Sequence, residues 1–264
     1  MTVPEHDNAF ELLRAPCLRL RGRFEDRGGP VGVFLHGFRS DSRGFKASAF
    51  RNWAEERQRS WLSFDLRGHG LSDGAFASLR LTTLLADVEA VLEWLAPRPV
   101  VLVGSSLGGW LSVLAARRRP EQVAGQLLIA PAFNFIQQYF GRLPEPLLAW
   151  WRAVGTHCFP DPYGGPGYAL EYALLEDAER HDAWQPAPCF HGPVAIVHGT
   201  ADEAVPFAQS EAYCAALTAP AKRLVPVPGG DHRLAGGLEA LQDSLDWVWD
   251  RRAVPISQAP RPGA

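Results

Sequence analysis

Lysine is nearly missing from this chain: of its 26 basic residues only Lys46 and Lys222 are lysines, and the arginines are dispersed. Against 29 acidic residues this leaves a net charge of −3 and a pI near 6.2. No basic field exists to gather nucleic acid or to hold the chain on an anionic membrane, which leaves small molecules or other proteins as the expected partners. Cysteine is scarce as well. Cys17, Cys158, Cys189 and Cys214 lie far apart with no C-x-x-C spacing, which excludes a zinc knuckle or a redox pair and makes reduced, buried thiols the expectation. No apolar run reaches the roughly 18 to 20 residues that cross a bilayer. The opening MTVPEHDNAFELL has neither the basic-then-apolar plan of a secretory signal nor the arginine-rich, acid-poor character of a transit peptide. A soluble, cytoplasmic protein is expected. No internal repeat, metal-ligand cluster or cofactor motif is visible, and the oligomeric state is not legible.

What is present describes a globular chain. With 47% hydrophobic and 21% charged residues over 264 positions, it can bury a sizeable core. CLRLRGRFE, 17–25, alternates as a half-buried strand does and is broken by Gly28, Gly29 and Pro30. VGVFLHG, 31–37, is continuously apolar, as a strand covered on both faces requires. The same kind of run recurs at WLSFD (61–65), VVLVGSS (100–106), QLLIAPA (126–132), PVAIVHGT (193–200) and KRLVPVP (222–228). Between these runs the period changes to that of helices. Leu81, Leu84, Leu85, Val88, Val91, Leu92 and Leu95 form one stripe closed by Pro97, and 45–58, 106–118, 207–218 and 235–251 read as further helices. Strand and helix alternate, so the fold class is α/β: a mostly parallel, twisted sheet with helices on both faces.

One stretch interrupts the rhythm. From Phe133 to about Gly192 there is no buried-strand run, only helix-like pieces rich in aromatics, and the segment is expected to be a small helical lid inserted into a domain spanning 1–253. Residues 254–264 are expected to form a flexible tail.

The chemistry concentrates in three places. Gly104-Ser105-Ser106-Leu107-Gly108 matches G-x-S-x-G where a buried strand gives way to a helix, so Ser106 is expected on a sharp turn with its hydroxyl above the sheet. A serine hydroxyl needs a base to take its proton, and the base needs a carboxylate to orient it. Asp202 follows PVAIVHGT and His232 follows the last strand, which gives the order Ser, Asp, His. Glu203 adjoins Asp202 and remains an alternative acid. His36, His69 and His198 sit at strand ends or in a turn, where structural roles are expected. An oxyanion requires fixed donors, each worth roughly 3 kcal/mol; the N–H groups of Leu107 and of Phe38, in His36-Gly37-Phe38, are the candidates.

Together HGF, GSSLGG, HGTADEAVP and GGDHR, in this order across 20–251, resemble the α/β-hydrolase superfamily. More narrowly, SFDLRGHGLSDG, LVGSSLGGWL, DEAVP and DHR resemble its branch of mitochondrial palmitoyl-protein thioesterases that also cleave acyl glucuronides. The resemblance implies the α/β-hydrolase fold, with Ser106 as nucleophile, Asp202 as acid, His232 as base and Phe38 with Leu107 as oxyanion donors. It also implies cofactor-free deacylation of long-chain thioesters or ester conjugates. The same triad serves amide, lactone or carbon–carbon cleavage, and a hydrolase fold can persist as a non-catalytic binding protein, so fold does not decide among these. The complete set of chemical parts favours the esterase or thioesterase.

Overall fold

The computed structural model describes residues 8–14, 17–161 and 165–252. Its centre is an eight-stranded sheet. In chain order the strands and helices are β1 (Ala9–Arg14), β2 (Leu18–Glu25), β3 (Val31–Leu35), α1 (Phe45–Glu56), β4 (Ser60–Phe64), α2 (Leu81–Leu95), β5 (Val100–Ser105), α3 (Leu107–Arg118) and β6 (Val123–Ile129). There follow α4 (Glu145–Val154), β7 (Thr156–Phe159), β8 (Tyr168–Glu171), α5 (Ala173–Ala178), β9 (Pro193–Gly199), α6 (Phe207–Ala216), β10 (Ala221–Val227) and α7 (Leu238–Arg251).

The sheet runs β1-β2-β4-β3-β5-β6-β9-β10. Every pairing from β4 to β10 is parallel, and β1 and β2 form an antiparallel margin. Alternation along the central strands feeds two cores. Val33, Leu35, Leu102 and Ile196 face α2, α3 and the segment after β6, while Phe34, Val101, Val103 and Val197 face Phe50 and Trp53 of α1 and Leu245 and Trp249 of α7. Both faces are therefore sealed by helices, which is why these strands carry unbroken apolar runs.

The expected helices and strands are present with ends that move by a few residues. Four features differ. β1 was not expected, because the Leu12-Leu13 pair spoils its alternation; Phe10 is buried while Leu13 is 65% exposed. β10 was expected to be covered on both faces and is instead half exposed along its length, since it closes the sheet edge beside β9. The stretch after β6 holds α4, α5 and a π-helical turn at Ile136–Phe140, but also an antiparallel pair, β7 with β8, whose four-residue strands are too short to display a period. The cysteines are not buried: Cys17, Cys158 and Cys189 are exposed and Cys214 is half-buried. The tail expected at 254–264 lies outside the described residues. No helix among the described residues is long and apolar enough to cross a membrane.

Candidate active site

Parallel strands deliver their following loops to one rim of the sheet, and Ser106, Phe38, Asp202 and His232 all lie in such loops, after β5, β3, β9 and β10 respectively.

Ser106 occupies a turn no ordinary residue prefers, at φ 54° and ψ −115°. Packing holds it there. Its N–H donates to the Ile129 carbonyl at 2.9 Å, and its own carbonyl accepts from Gly109, Trp110 and Ala132. The flanking glycines are steric necessities: a Cβ on Gly104 would lie 2.3 Å from the Gly108 oxygen, and one on Gly108 would lie 2.0 Å from the Leu35 oxygen. Leu107 begins α3, so its N–H has no acceptor within the helix and sits at the positive end of the helix dipole.

The loop after β3 passes directly over the serine. A Cβ on Gly37 would be 3.2 Å from Ser106 Cβ and 3.7 Å from its Oγ. Two histidines brace this loop. His36 is buried, donates through Nδ1 to the Gly37 carbonyl (2.8 Å) and accepts the Leu66 N–H through Nε2 (2.9 Å). His69 accepts the Arg39 N–H through Nε2 (3.3 Å) and donates through Nδ1 to the Arg67 carbonyl (3.0 Å). Burial lowers the pKa of both, that of His69 to about 4, so each is a neutral structural group, as expected. Asp65 braces the same corner by accepting the Ser42 and Leu71 N–H groups, each at 2.7 Å.

His232 Nδ1 is 2.7 Å from Asp202 Oδ2. With its Nδ1 proton committed to the carboxylate, the ring presents Nε2 as a lone pair. Asp202 is buried, and its other oxygen accepts the N–H groups of Ala204 (2.9 Å) and Val205 (2.8 Å). Burial alone would push this carboxyl up, but hydrogen bonds from His198, His232 and the Val205 N–H outweigh it and hold the group well below the usual carboxylate range. Glu203, the alternative acid, is exposed. The two loops are stitched together where the Ala201 N–H donates to the Gly230 carbonyl at 3.0 Å.

Beside the loop after β3 the residues after β6 supply an aromatic wall. The Phe38 ring meets Phe135 at 5.4 Å, Tyr168 at 5.8 Å and Phe140 at 6.4 Å, with Phe76 on its other flank at 5.0 Å. Next to it lies an open groove of about 740 Å³ bordered by Arg39, His69, Phe76 and Tyr168. Arg39 forks onto Asp161 at 3.1 and 2.7 Å and lies 4.4 Å over the Tyr168 ring, binding the loop to the inserted segment.

Two contributors were missed in the sequence. His198 contacts Asp202 as well as the backbone acceptor expected of it, and the His-x-x-x-Asp spacing of HGTAD was the available signal. Lys46 reaches the loop of His232 from α1, and nothing local to either residue announces the contact.

Comparison with known proteins places this geometry in context. The family described as alpha/beta hydrolase family matches residues 33–243. The mitochondrial palmitoyl-protein thioesterase ABHD10 of Mus musculus is 32% identical over 231 residues, covering 86% of this chain and 75% of that protein. The solved structure of mouse alpha/beta hydrolase domain-containing protein 10 superposes with a TM-score of 0.81 at 29% identity, over 92% of this chain and 98% of that one. A putative hydrolase from Agrobacterium vitis S4 gives a TM-score of 0.85 at 26% identity, over 93% and 99%. The cytoplasmic expectation is corrected by these relatives, several of which are named as mitochondrial proteins; the composition of an opening segment was no basis for assigning a compartment. From the match across most of its length, the chain belongs to the alpha/beta hydrolase family and is a hydrolase.

Proposed function

We propose that this hydrolase cleaves carboxylic ester or thioester bonds carrying an apolar acyl group, through an acyl-enzyme on Ser106. His232 Nε2 takes the Ser106 proton as Oγ attacks the carbonyl carbon, and Asp202 holds the imidazole and offsets the charge it gains. The oxyanion is received by the N–H groups of Phe38 and Leu107. His232 then gives its proton to the departing alkoxide or thiolate, and in the second half it activates water to release the acid and restore the serine.

The observation that carries this reading is the 2.7 Å bond from His232 to Asp202, which fixes the tautomer with Nε2 free, at the rim where Ser106 is held in its positive-φ turn. The apolar preference is supported by the rings of Phe135, Phe140 and Tyr168 against Phe38, with the segment around 133–192 acting as a lid. The thioesterase naming of the relatives supports including thioesters. A fluorophosphonate probe should label the wild type and leave Ser106→Ala unlabelled. Rates on p-nitrophenyl esters and acyl thioesters should rise with acyl length beyond acetyl; a rate greatest for acetyl would refute the apolar assignment.

A further inference from the structure

Asp202 serves two histidines. His198, the penultimate residue of β9, is fully buried, and its Nε2 lies 3.0 Å from Asp202 Oδ2, the same oxygen that receives His232. Nε2 is also 3.0 Å from the Val205 carbonyl. Both groups facing this nitrogen are acceptors, so Nε2 carries a hydrogen whichever charge the ring bears. On the far side Nδ1 is 2.7 Å from the hydroxyl of Ser210, buried in α6, and the Phe207 ring stands edge-on at 5.7 Å. The His198 ring is therefore fixed in both orientation and tautomer, and the Asp202 carboxylate is met by four donors: two imidazoles on Oδ2 and two amides on Oδ1.

Four donors are more than a carboxylate needs in order to be immobile, since the two amides already orient it. What the second imidazole adds is competition for Oδ2. An oxygen that shares its electron density between two N–H donors binds each less strongly than it would bind one. We propose, resting on the reading that Asp202 orients His232, that His198 is a positioning residue for the hydrolysis: by sharing Oδ2 it moderates the hydrogen bond that Asp202 accepts from His232. Without it, Oδ2 holds His232 alone and stabilises the imidazolium more strongly, so the base regains its proton at higher pH. The other charged groups at this corner are Lys46 from α1, Asp231 and Arg233 flanking His232, and Glu203 beside Asp202; all four remain in every variant below.

The test is kcat/KM on a p-nitrophenyl ester from pH 5 to 9 for the full chain and three variants. In His198→Phe the acid limb should move up by about half a pH unit or more, with KM within about twofold of wild type and kcat reduced at pH 6 more than at pH 9. His198→Gln, whose carboxamide N–H can donate towards Oδ2, should bring the limb back towards wild type. Ser210→Ala removes the partner of Nδ1 without touching Asp202, and should move the limb in the same direction as His198→Phe by a smaller amount; it carries the test if His198→Phe does not fold. A limb unmoved in a folded His198→Phe, or unmoved in Ser210→Ala where that variant stands alone, overturns the proposal, as does equal loss of rate at all pH values in both His198 variants. Fluorophosphonate labelling keeps the two readings apart: an unlabelled wild-type Ser106 removes the triad itself, whereas labelling with an unmoved limb removes only the role of His198.

Discussion

Lys46 Nζ donates to the Arg233 carbonyl at 2.8 Å, fastening the residue after His232 to the first turn of α1 across 187 positions of sequence. The chain's other lysine does similar work, with Lys222 Nζ donating to the carbonyls of Cys214, Ala215 and Leu217 at the end of α6. A flexible stem with three donors suits a cluster of carbonyls better than a planar fork does, which gives a reason for lysine at position 222 in an arginine-rich chain.

Burial draws the Lys46 pKa down to about 8 against the opposing pulls of Asp231 and Asp202. In the unfolded chain the amine titrates near 10.5. Between these values the unfolded state holds more protons than the folded one, so the stability contribution of this site rises with pH across that window and is least below pH 8. Urea denaturation at pH 7.5, 9 and 10.5 should show such a rise in the wild type that is missing from Lys46→Met. Parallel profiles for the two proteins would contradict it.

Asp202→Asn keeps the two amide contacts to Oδ1 but presents an N–H or a weaker acceptor to His232 Nδ1, which frees the ring to adopt the other tautomer. The expected loss in kcat is about 10⁴-fold in protein that still folds, with a lowered melting temperature because the ionised carboxylate is itself stabilising. Glu203→Gln, on an exposed side chain, should stay within about twofold. A large loss in Glu203→Gln with a small one in Asp202→Asn would reverse the assignment.

His69 titrates at about 4 when folded and near 6.5 when unfolded, because burial, with His36 adjoining, opposes its charge. Its contribution to stability is complete above pH 6.5 and is lost as the pH falls towards 4, where protonation would also break the bond it accepts from the Arg39 N–H. His69→Gln should therefore show a shallower loss of stability between pH 6.5 and 4 than the wild type. His36 shifts in the same direction and persists in the variant, so some slope remains. A slope equal to that of the wild type would mean that His69 is not the group responsible.

Gly108→Ala places a methyl 2.0 Å from the Leu35 oxygen and 2.8 Å from that of His36, both backbone atoms that cannot step aside. Destabilisation by at least about 1 to 3 kcal/mol is expected, with loss of fluorophosphonate labelling as the oxyanion loop is displaced. Gly236→Ala meets nothing within 4 Å and should lie within about 0.5 kcal/mol of wild type. Melting curves for the pair give the comparison directly.

Much of this organisation could be read from the residues in order. The stripe from Leu81 to Leu95 gives α2 its bounds because every turn of that helix buries an apolar side chain. The buried strand running into G-x-S-x-G locates Ser106, since a turn that tight between strand and helix needs its two glycines. Contacts formed only by folding were not legible. His198 looked like a strand-end residue because its partner lies in a loop, and the His-x-x-x-Asp spacing that joins them follows no strand or helix period across that boundary. Lys46 and Arg233 are joined solely by the sheet bringing α1 against the loop after β10. β7 and β8 have four residues each, too few for alternation to stand out from the aromatic content around them.

β6 and β9 are hydrogen-bonded neighbours, so the chain leaves the sheet after Ile129 and rejoins it in the adjacent slot at Pro193. The excursion between them carries only the β7–β8 pair, so it can be shortened, lengthened or exchanged without changing a pairing of the eight-stranded sheet. If the segment is the lid proposed above, it is a wall that sequence change can rebuild around a different bound molecule while the strand ends that carry Ser106, Asp202 and His232 keep their places.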